Sequence, residues 1–153
     1  MKVLSDIKPT KLVEVGQANN PNKRSCIFYD LSSIEEVETE HGIAYEYNAY
    51  IADLCLTEDK IIEQAEELYS LVKQAEIDRL SAEIREKRNQ LLTESDKYMA
   101  LDRLDLDTST AIKFLASLKN IFNNDYAVYR QALRDITKQP NFPYDVEFPK
   151  KPD

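Results

Sequence analysis

The sequence predicts an α+β fold, and three observations lead to that prediction. Short apolar segments separated by turn residues fill the first third of the chain, a long helical periodicity follows, and four of the six prolines come after Gln139. Apolar residues at every second position are typical of strands, and a period of about 3.6 is typical of helices. We therefore expect N-terminal β-hairpins, one long helix, a second amphipathic helix and an extended proline-rich C-terminal tail.

The composition indicates a folded, acidic protein. Hydrophobic residues make up 42% and charged residues 31% of the chain, which is within the range of globular domains. The formal net charge of -8 opposes the field of a nucleic acid, so we expect no nucleic-acid partner. No uncharged run approaches the length that crosses a bilayer, and the opening MKVLSDIKP lacks the apolar region of a signal peptide. We expect no membrane partner and a cytoplasmic location.

Residues 1–56 are predicted to form a β-rich region. Turn residues at 16–22 separate the first two apolar segments, and residues 40–42, which include His41, reverse the chain between the second two. The four predicted strands cover residues 11–15, 25–29, 33–39 and 43–51.

The last of these predicted strands is rich in tyrosine. Because side chains alternate along a strand, Tyr45 and Tyr47 lie on one face together with Ile43 and Ala49. This face is either part of the core or a contact surface. We favour packing beneath the helices, because a tyrosine ring buries a large apolar area while its hydroxyl reaches the edge.

Residues 57–92 are predicted to form the long helix. Thr57 is a suitable start, because its hydroxyl can accept a hydrogen bond from an early backbone N–H. The apolar stripe shifts near Glu76, and the charged stretch 78–88 has two open interpretations, a solvated face or a coiled coil that makes a homo-oligomer. The first stripe consists of Ile61, Ala65, Leu68, Val72 and Ala75, and the second of Ile77, Leu80, Ile84 and Leu91.

Residues 93–153 are predicted to contain a linker, the second helix and the tail. The linker covers 93–107, and Thr108 or Ser109 opens the helix. The helix is continuous or slightly kinked at 123–125 and ends before Pro140, because the residue that precedes a proline disfavours helical backbone. Its apolar stripe consists of Leu115, Leu118, Phe122, Tyr126, Tyr129, Leu133 and Ile136.

The predicted tail carries aromatic residues at alternating positions. Phe142, Tyr144 and Phe148 suit either a groove on a partner or the helices of the same chain, and we favour the second. Arg130 and Arg134 lie one turn apart on the preceding helix. Their open roles are surface ion pairing or clamping of the aromatic tail, and we favour the clamp because guanidinium groups stack on aromatic rings.

The sequence contains no recognisable catalytic constellation. His41 lies at a predicted turn, and two glycines are too few for a glycine-rich phosphate loop. Cys26 and Cys55 lack the neighbours of a metal site, so we expect both to be reduced core residues. Acids at 102, 105 and 107 lack the glycine and glutamate of a calcium loop, so they support a metal site only weakly. We predict no enzyme, no catalytic residue, no cofactor and no metal.

The second half of the chain contains several segments of a recognisable pattern, which are RNQLLTESDKYM at 88–99, Asp102, YAVYRQALRDI at 126–136, PNFP at 140–143, Val146 and PKKP at 149–152. In this order and spacing they resemble the C-terminal domain of phage tail assembly chaperones. The tyrosine-arginine helix and the proline-rich end are also similar to the C-terminal end of tail fibre assembly proteins. The family commonly has tryptophan at the position of Tyr126, which is a modest change because both rings bury apolar area and carry a polar group.

The resemblance implies a phage or prophage tail morphogenesis protein. Such a protein would act as a non-enzymatic assembly chaperone for a tail or tail fibre protein in the cytoplasm of the bacterial host, and would then leave the virion or stay on it. The tyrosine hairpin would cover an exposed strand edge of the client by strand addition. The partner-binding candidates are Tyr45, Tyr47, Tyr126, Tyr129, Arg130, Arg134, Phe142, Tyr144 and Phe148.

Two other functions stay open at this point. The first is a permanent structural subunit of the tail, the baseplate or the fibre attachment. The second is an acidic inhibitor of a host defence protein, which ranks lower because the acids of the long helix are interspersed with lysine and arginine.

Overall fold

A computed structural model describes residues 2–99, 107–122 and 124–152, and the fold of this part is α+β. A five-stranded antiparallel sheet precedes the helices. Short 3-10 turns lie at Leu31–Ser33 and Asp135–Lys138. The strands are β1 (Lys2–Ser5), β2 (Val13–Gln17), β3 (Arg24–Tyr29), β4 (Glu35–Thr39) and β5 (Gly42–Leu54), and the helices are α1 (Glu58–Glu63), α2 (Ala65–Asp96), α3 (Ala111–Phe122) and α4 (Asp125–Arg134).

The chain forms two compact units, Met1–Glu76 and Ile77–Asp153. Their boundary falls within α2, at the position where the sequence predicts a shift of the apolar stripe. The three-part division into 1–56, 57–92 and 93–153 stays a prediction.

Strand β5 is the centre of the sheet. The strand order of the sheet is β1-β5-β3-β2, and β4 also pairs with β5. Both predicted hairpins are confirmed with shifted ends, and Gly42 adopts a φ of 122° at the second reversal, a conformation that favours glycine. The additional strand β1 places Val3 opposite Tyr47. We missed β1 because four residues next to the chain start give too short a pattern to predict a strand.

The helix-covered face of the sheet forms the main core of the first unit. Val13, Cys26, Phe28 and Tyr50 are buried there, and Ile61 from α1 is fully buried against them. Partly buried apolar residues also pack against this cluster, and these are Val15, Leu54, Leu56, Ala65, Leu68, Tyr69 and Val72.

The opposite face of the sheet contains a second cluster built around Tyr29, Tyr47 and Ala49. Tyr47 meets Tyr29 edge-on, with ring centroids 5.6 Å apart. Burial, followed by the hydrogen bond to Glu14, raises the pKa of Tyr29 to about 12. Partly buried Val3, Ile27, Ile34 and Tyr45 complete the cluster.

The expectation that Tyr45 and Tyr47 pack beneath the helices is therefore wrong. The register of β5 places Tyr50 opposite Phe28 on the helix-covered face. Because side chains alternate, Tyr47 and Tyr45 belong to the other face.

The predicted long helix is divided in two near its start. Thr57 precedes α1 as predicted, but its side chain makes no capping hydrogen bond. The backbone leaves helical geometry at Gln64, whose φ and ψ are -104° and 20°, and α2 then continues to Asp96 rather than ending near residue 92. Residues 93–96 are thus helical instead of linker, and the predicted linker positions 100–106 lie outside the described residues.

The second predicted helix is also divided. Asn124 is the N-cap of α4, and its side-chain oxygen accepts a hydrogen bond from the backbone N–H of Ala127 at 2.7 Å. An asparagine that caps a new helix competes with continuation of the old one, so an unbroken apolar stripe did not guarantee an unbroken helix. Upstream, α3 begins at Ala111, and Thr110 rather than Thr108 or Ser109 accepts from the N–H of Lys113 at 3.2 Å.

The C-terminal segment begins with turns instead of an extended chain. Helical structure ends at Lys138, before Pro140 as predicted. The carbonyl of Asn141 then accepts hydrogen bonds from the N–H groups of Tyr144 and Asp145. The side chain of Gln139 bonds both the N–H and the carbonyl of Glu147, so local hydrogen bonds fold back a segment whose prolines had predicted extension.

The two thiols have different environments. Cys26 is fully buried, as expected, and burial raises its pKa. Cys55 is exposed, so the expectation of a core position is wrong. Its neighbours Leu54 and Leu56 pack against the core, and the alternating chain turns Cys55 outward.

A polar network joins the sheet to α2 within the first unit. Asp30 accepts a hydrogen bond from Ser32 at 2.6 Å and an ion-paired hydrogen bond from Lys73 at 3.0 Å. Lys73 also donates to the hydroxyl of Tyr69 at 3.1 Å. Burial alone would raise the pKa of Asp30, but the hydrogen bonds from Ser32 and Lys73 outweigh it, so the pKa is lowered.

We predict that Asp30→Asn lowers the free energy of unfolding by about 1–3 kcal/mol at neutral pH, because Lys73 loses its ion-pair partner, a carboxylate whose side chain is only 8% exposed. The pKa of Asp30 is lower in the folded state, so its contribution is present above the ordinary value of 3.8 and is lost as pH falls through the folded-state value. Urea unfolding over a series of acidic pH values should show the difference between the two proteins shrinking.

The matched control for this prediction is Lys2→Met, which removes the exposed ion pair between Lys2 and Glu46. We expect nearly unchanged unfolding, because exposed pairs contribute little. An equal loss in both variants, or a constant difference between wild type and Asp30→Asn at every pH, would contradict the assignment.

Candidate partner-binding surfaces

Arg130 on α4 binds the C-terminal end of α2 within the second unit. Its Nη1 donates to the carbonyl of Leu92 at 2.8 Å and to Oγ of Ser95 at 2.6 Å, and it pairs with Oδ1 of Asp96 at 2.7 Å. A cation at this end satisfies a terminal carbonyl and complements the helix dipole. The expected clamp on the aromatic tail is wrong for Arg130, because its hydrogen bonds and ion pair within the described part of the chain go to α2.

Three tyrosines pack beside this contact. Tyr98 and Tyr126 stack with ring centroids 4.2 Å apart, and Tyr129 meets Tyr126 edge-on at 6.5 Å. Tyr126 also donates its hydroxyl to the carbonyl of Pro152 at 3.2 Å, which holds the end of the tail. Tyr129 is buried, and burial, followed by the charge of Glu94, raises its pKa.

The tail aromatics lie beside cationic side chains of α2. The guanidinium of Arg85 is 5.7 Å from the ring centroid of Phe142, and Nζ of Lys87 is 4.3 Å from that of Phe148. Both rings are half-buried. This arrangement agrees with the favoured interpretation that the tail packs on helices of its own chain.

The remaining candidates are placed separately. Tyr47 is buried and Tyr45 is half-buried in the first unit, whereas Arg134 and Tyr144 are exposed in the second. Nζ of Lys8 lies 5.5 Å from the ring centroid of Tyr45. The structure thus brings Tyr126, Tyr129 and Arg130 together around the end of α2. Partner binding by any of the nine candidates stays a prediction.

Helix α3 presents an apolar surface that we did not select from the sequence. Ile112 is 82% exposed and Leu115 is 64% exposed, and Phe114 beside them is also exposed. We placed Leu115 on a single apolar stripe that continues into α4. The signal that could have identified this surface is Asn124, because a cap at this position ends α3 as a separate helix.

The comparisons with known proteins concern the second half of the chain. Residues 81–153 match the family model described as phage tail assembly chaperone protein. The predicted resemblance to this family is therefore confirmed for a segment slightly shorter than half of the chain, and it supports a role in phage tail assembly. No curated protein and no solved structure matches the chain significantly.

The chaperone-family segment contains α3, α4, the tail and the part of α2 that Arg130 binds. The similarity to tail fibre assembly proteins and oligomerisation through α2 stay predictions. Among the described residues, no helix is long and apolar enough to cross a membrane, and no group of three His, Cys, Asp or Glu side chains could hold a metal ion. The acids at 102 and 105 lie outside the described residues.

We predict that Arg130→Met destabilises the chaperone-family segment by about 2–3 kcal/mol, because a guanidinium that is only 14% exposed leaves three acceptors behind. Hydrogen exchange should become faster at the amides of the last turn of α2. Urea unfolding gives the accompanying loss of stability.

Arg134→Met is the matched control, since Arg134 is exposed on the same helix. It should leave both measurements close to those of the wild-type protein. Equal effects of the two substitutions would show that the bonds of Arg130 do not stabilise the end of α2.

Proposed function

We propose that this chain is a non-enzymatic assembly chaperone that binds a tail or tail fibre polypeptide of a phage or prophage. The observation that carries the proposal is the match of residues 81–153 to the tail assembly chaperone family. The protein would act in the cytoplasm of the bacterial host, where tail polypeptides are made and assembled.

The apolar face of α3 is the surface in this segment that suits a client best. Ile112 and Leu115 lie three residues apart on one side of the helix, so an apolar segment of another protein can cover both. Exposed apolar clusters on a helix commonly mark protein contact sites. An assembly chaperone needs such a surface, because its client exposes apolar groups until it reaches its place in the tail.

The charges of α3 indicate the chemistry of its client. The helix carries Lys113 and Lys119 and no acid, although the chain as a whole has a net charge of -8. Asp107 lies 3.5 Å from Lys113 and offsets part of this charge. The client surface would therefore combine apolar side chains with flanking carboxylates, which a helix of the opposite charge attracts.

We predict that replacing Ile112 and Leu115 together by Asp lowers client affinity at least about thirtyfold, because truncated or charged anchor residues commonly cost 2 kcal/mol or more. Each tail and tail fibre protein of the encoding phage is co-expressed with the tagged chain, and affinity is measured for the proteins that co-purify. The thermal midpoint should stay close to that of the wild-type protein, because both side chains are exposed.

Leu71→Asp provides the matched control. Leu71 lies on α2 in the first unit and is 61% exposed, so the substitution places an aspartate at a similar exposure outside α3, with one added negative charge against two in the double variant. It should leave client binding intact. If Leu71→Asp weakens binding as much as the double variant does, α3 is not the client surface.

The alternative is a permanent structural subunit of the tail, the baseplate or the fibre attachment. Quantitative mass spectrometry of purified phage particles separates the two functions. A chaperone that leaves the virion is present in the lysate and absent from particles, whereas a structural subunit has a constant copy number per tail. Failure of every tail and fibre protein to co-purify with the chain would overturn both.

A further inference from the structure

A groove of about 760 Å³ lies beside β2 in the first unit. Residues 11–15 form one wall, and Glu58, Ile62 and Ala65 from α1 and α2 form the other. Most of the residues that line the groove are apolar, and one of them, Ile62, is mostly exposed. The described residues of the structure place nothing between these walls.

The groove opens on the edge of the sheet rather than on one of its faces. Val13 belongs to the helix-covered core, whereas Glu14 accepts a hydrogen bond from Tyr29 on the opposite face at 2.9 Å. Neighbouring side chains of a strand point to opposite faces, yet both residues line the same groove. A groove that both residues line must therefore lie at the edge of the strand, where the two faces meet.

This edge has backbone groups that point outward. Among the described strands β2 pairs with β3 alone, and the N–H of Tyr29 donates to the carbonyl of Leu12 at 2.8 Å. Backbone groups alternate in direction along an antiparallel ladder, so Leu12 and Glu14 face β3 while Val13 and Val15 face the groove. An edge of this kind accepts a further strand.

The charges around the groove select the strand that it would accept. Glu14 and Glu58 line it, with Lys11 as the one basic residue of its wall. An adjoining cavity shares Leu12, Ile62 and Ala65 with it and adds three acids, which are Glu63, Glu66 and Glu67. An incoming strand with lysine or arginine side chains would meet opposite charges along this rim, and its apolar side chains would meet the apolar wall.

We infer that the β2 groove binds an extended segment of a partner polypeptide, in which apolar residues alternate with lysine or arginine and which adds as a strand to β2. The inference rests on the proposed function only for the source of the segment, which would be the tail or tail fibre client. The inference also assigns strand addition to the edge of β2, whereas we predicted it from the sequence for the tyrosine hairpin. The tyrosine strand β5 is interior to the sheet, since β1 and β4 pair with its residues 45 and 46 from both sides.

The test uses a fluorescent peptide of about seven residues, a usual strand length, in which valine alternates with lysine. A second peptide has glutamate in place of lysine. Anisotropy titrations with the full chain should show binding of the lysine peptide that weakens with salt, and no binding of the glutamate peptide. Amide shifts in NMR spectra should concentrate in residues 11–17 and 58–67.

Two variants separate the backbone contribution from the charge contribution. Val15→Pro removes an outward N–H and leaves the β2–β3 hydrogen bonds in place, so it should abolish peptide binding in a chain whose circular dichroism is unchanged. The double variant Glu58→Lys and Glu66→Lys should raise the Kd at least about tenfold. Its matched control, Glu36→Lys with Glu38→Lys on β4, makes the same change of net charge away from the groove and should bind as the wild type does.

Several results would overturn the inference. These are equal binding of the two peptides, no binding of the lysine peptide, and equal effects of the charge variant and its control. A dimer that Val15→Pro disrupts would assign the edge to a second copy of the chain instead. Co-purification of tail proteins is measured independently, so a chain that binds the peptide without any tail client would overturn the proposed function and leave the groove assignment standing.

Discussion

The pairing of β5 is the constraint on which the first unit depends. Three strands, β1, β3 and β4, form their ladders with this one 13-residue strand, and only β2 is attached through β3. Both faces of β5 carry buried side chains, Tyr50 on one and Tyr47 with Ala49 on the other. Tyr47 and Tyr50 therefore stabilise the fold through their burial on the two faces of β5. Beyond β3 the edge of the sheet consequently falls to β2, the strand most distant from β5 on that side.

In the second unit, the residues that carry the family resemblance mainly hold the unit together. Arg130 connects α4 to the end of α2, and Tyr126 connects α4 both to Tyr98 and to the tail. These contacts therefore describe a scaffold, whereas α3, within the same matched segment, exposes Ile112, Phe114 and Leu115. A packed position accepts few amino-acid types, whereas a surface position that only needs to be apolar accepts several.

Local patterns predicted the elements whose cause is local. Alternation and the turn residues between the strands identified both hairpins. The apolar stripe shifts near Glu76, where the boundary between the units falls, but we predicted no boundary there. The division at Gln64 was not predictable, because that position has neither a glycine nor a proline. Asn124 did carry a capping signal, but the apolar stripe across it indicated continuity, and the cap prevailed.

Contacts between distant parts of the chain could not be read from spacing. The acceptors of Arg130 lie 34 to 38 residues earlier in the sequence, so its position on the helix suggested the adjacent tail instead. The faces of β5 were assigned correctly by alternation, but which of them the helices cover depends on the register with β3. The β2 groove needs both the order of the strands and the position of α1, and neither follows from one segment alone.

The contrast between the two thiols gives the protein a natural labelling position. Thiol reagents attack the thiolate, and Cys26 is both fully buried and raised in pKa by that burial. Cys55 is exposed directly after β5 and is the other cysteine of the chain. A maleimide dye should therefore attach to the folded wild-type protein at Cys55 alone, and spectroscopic distances from the first unit can be measured without introducing or removing a single residue.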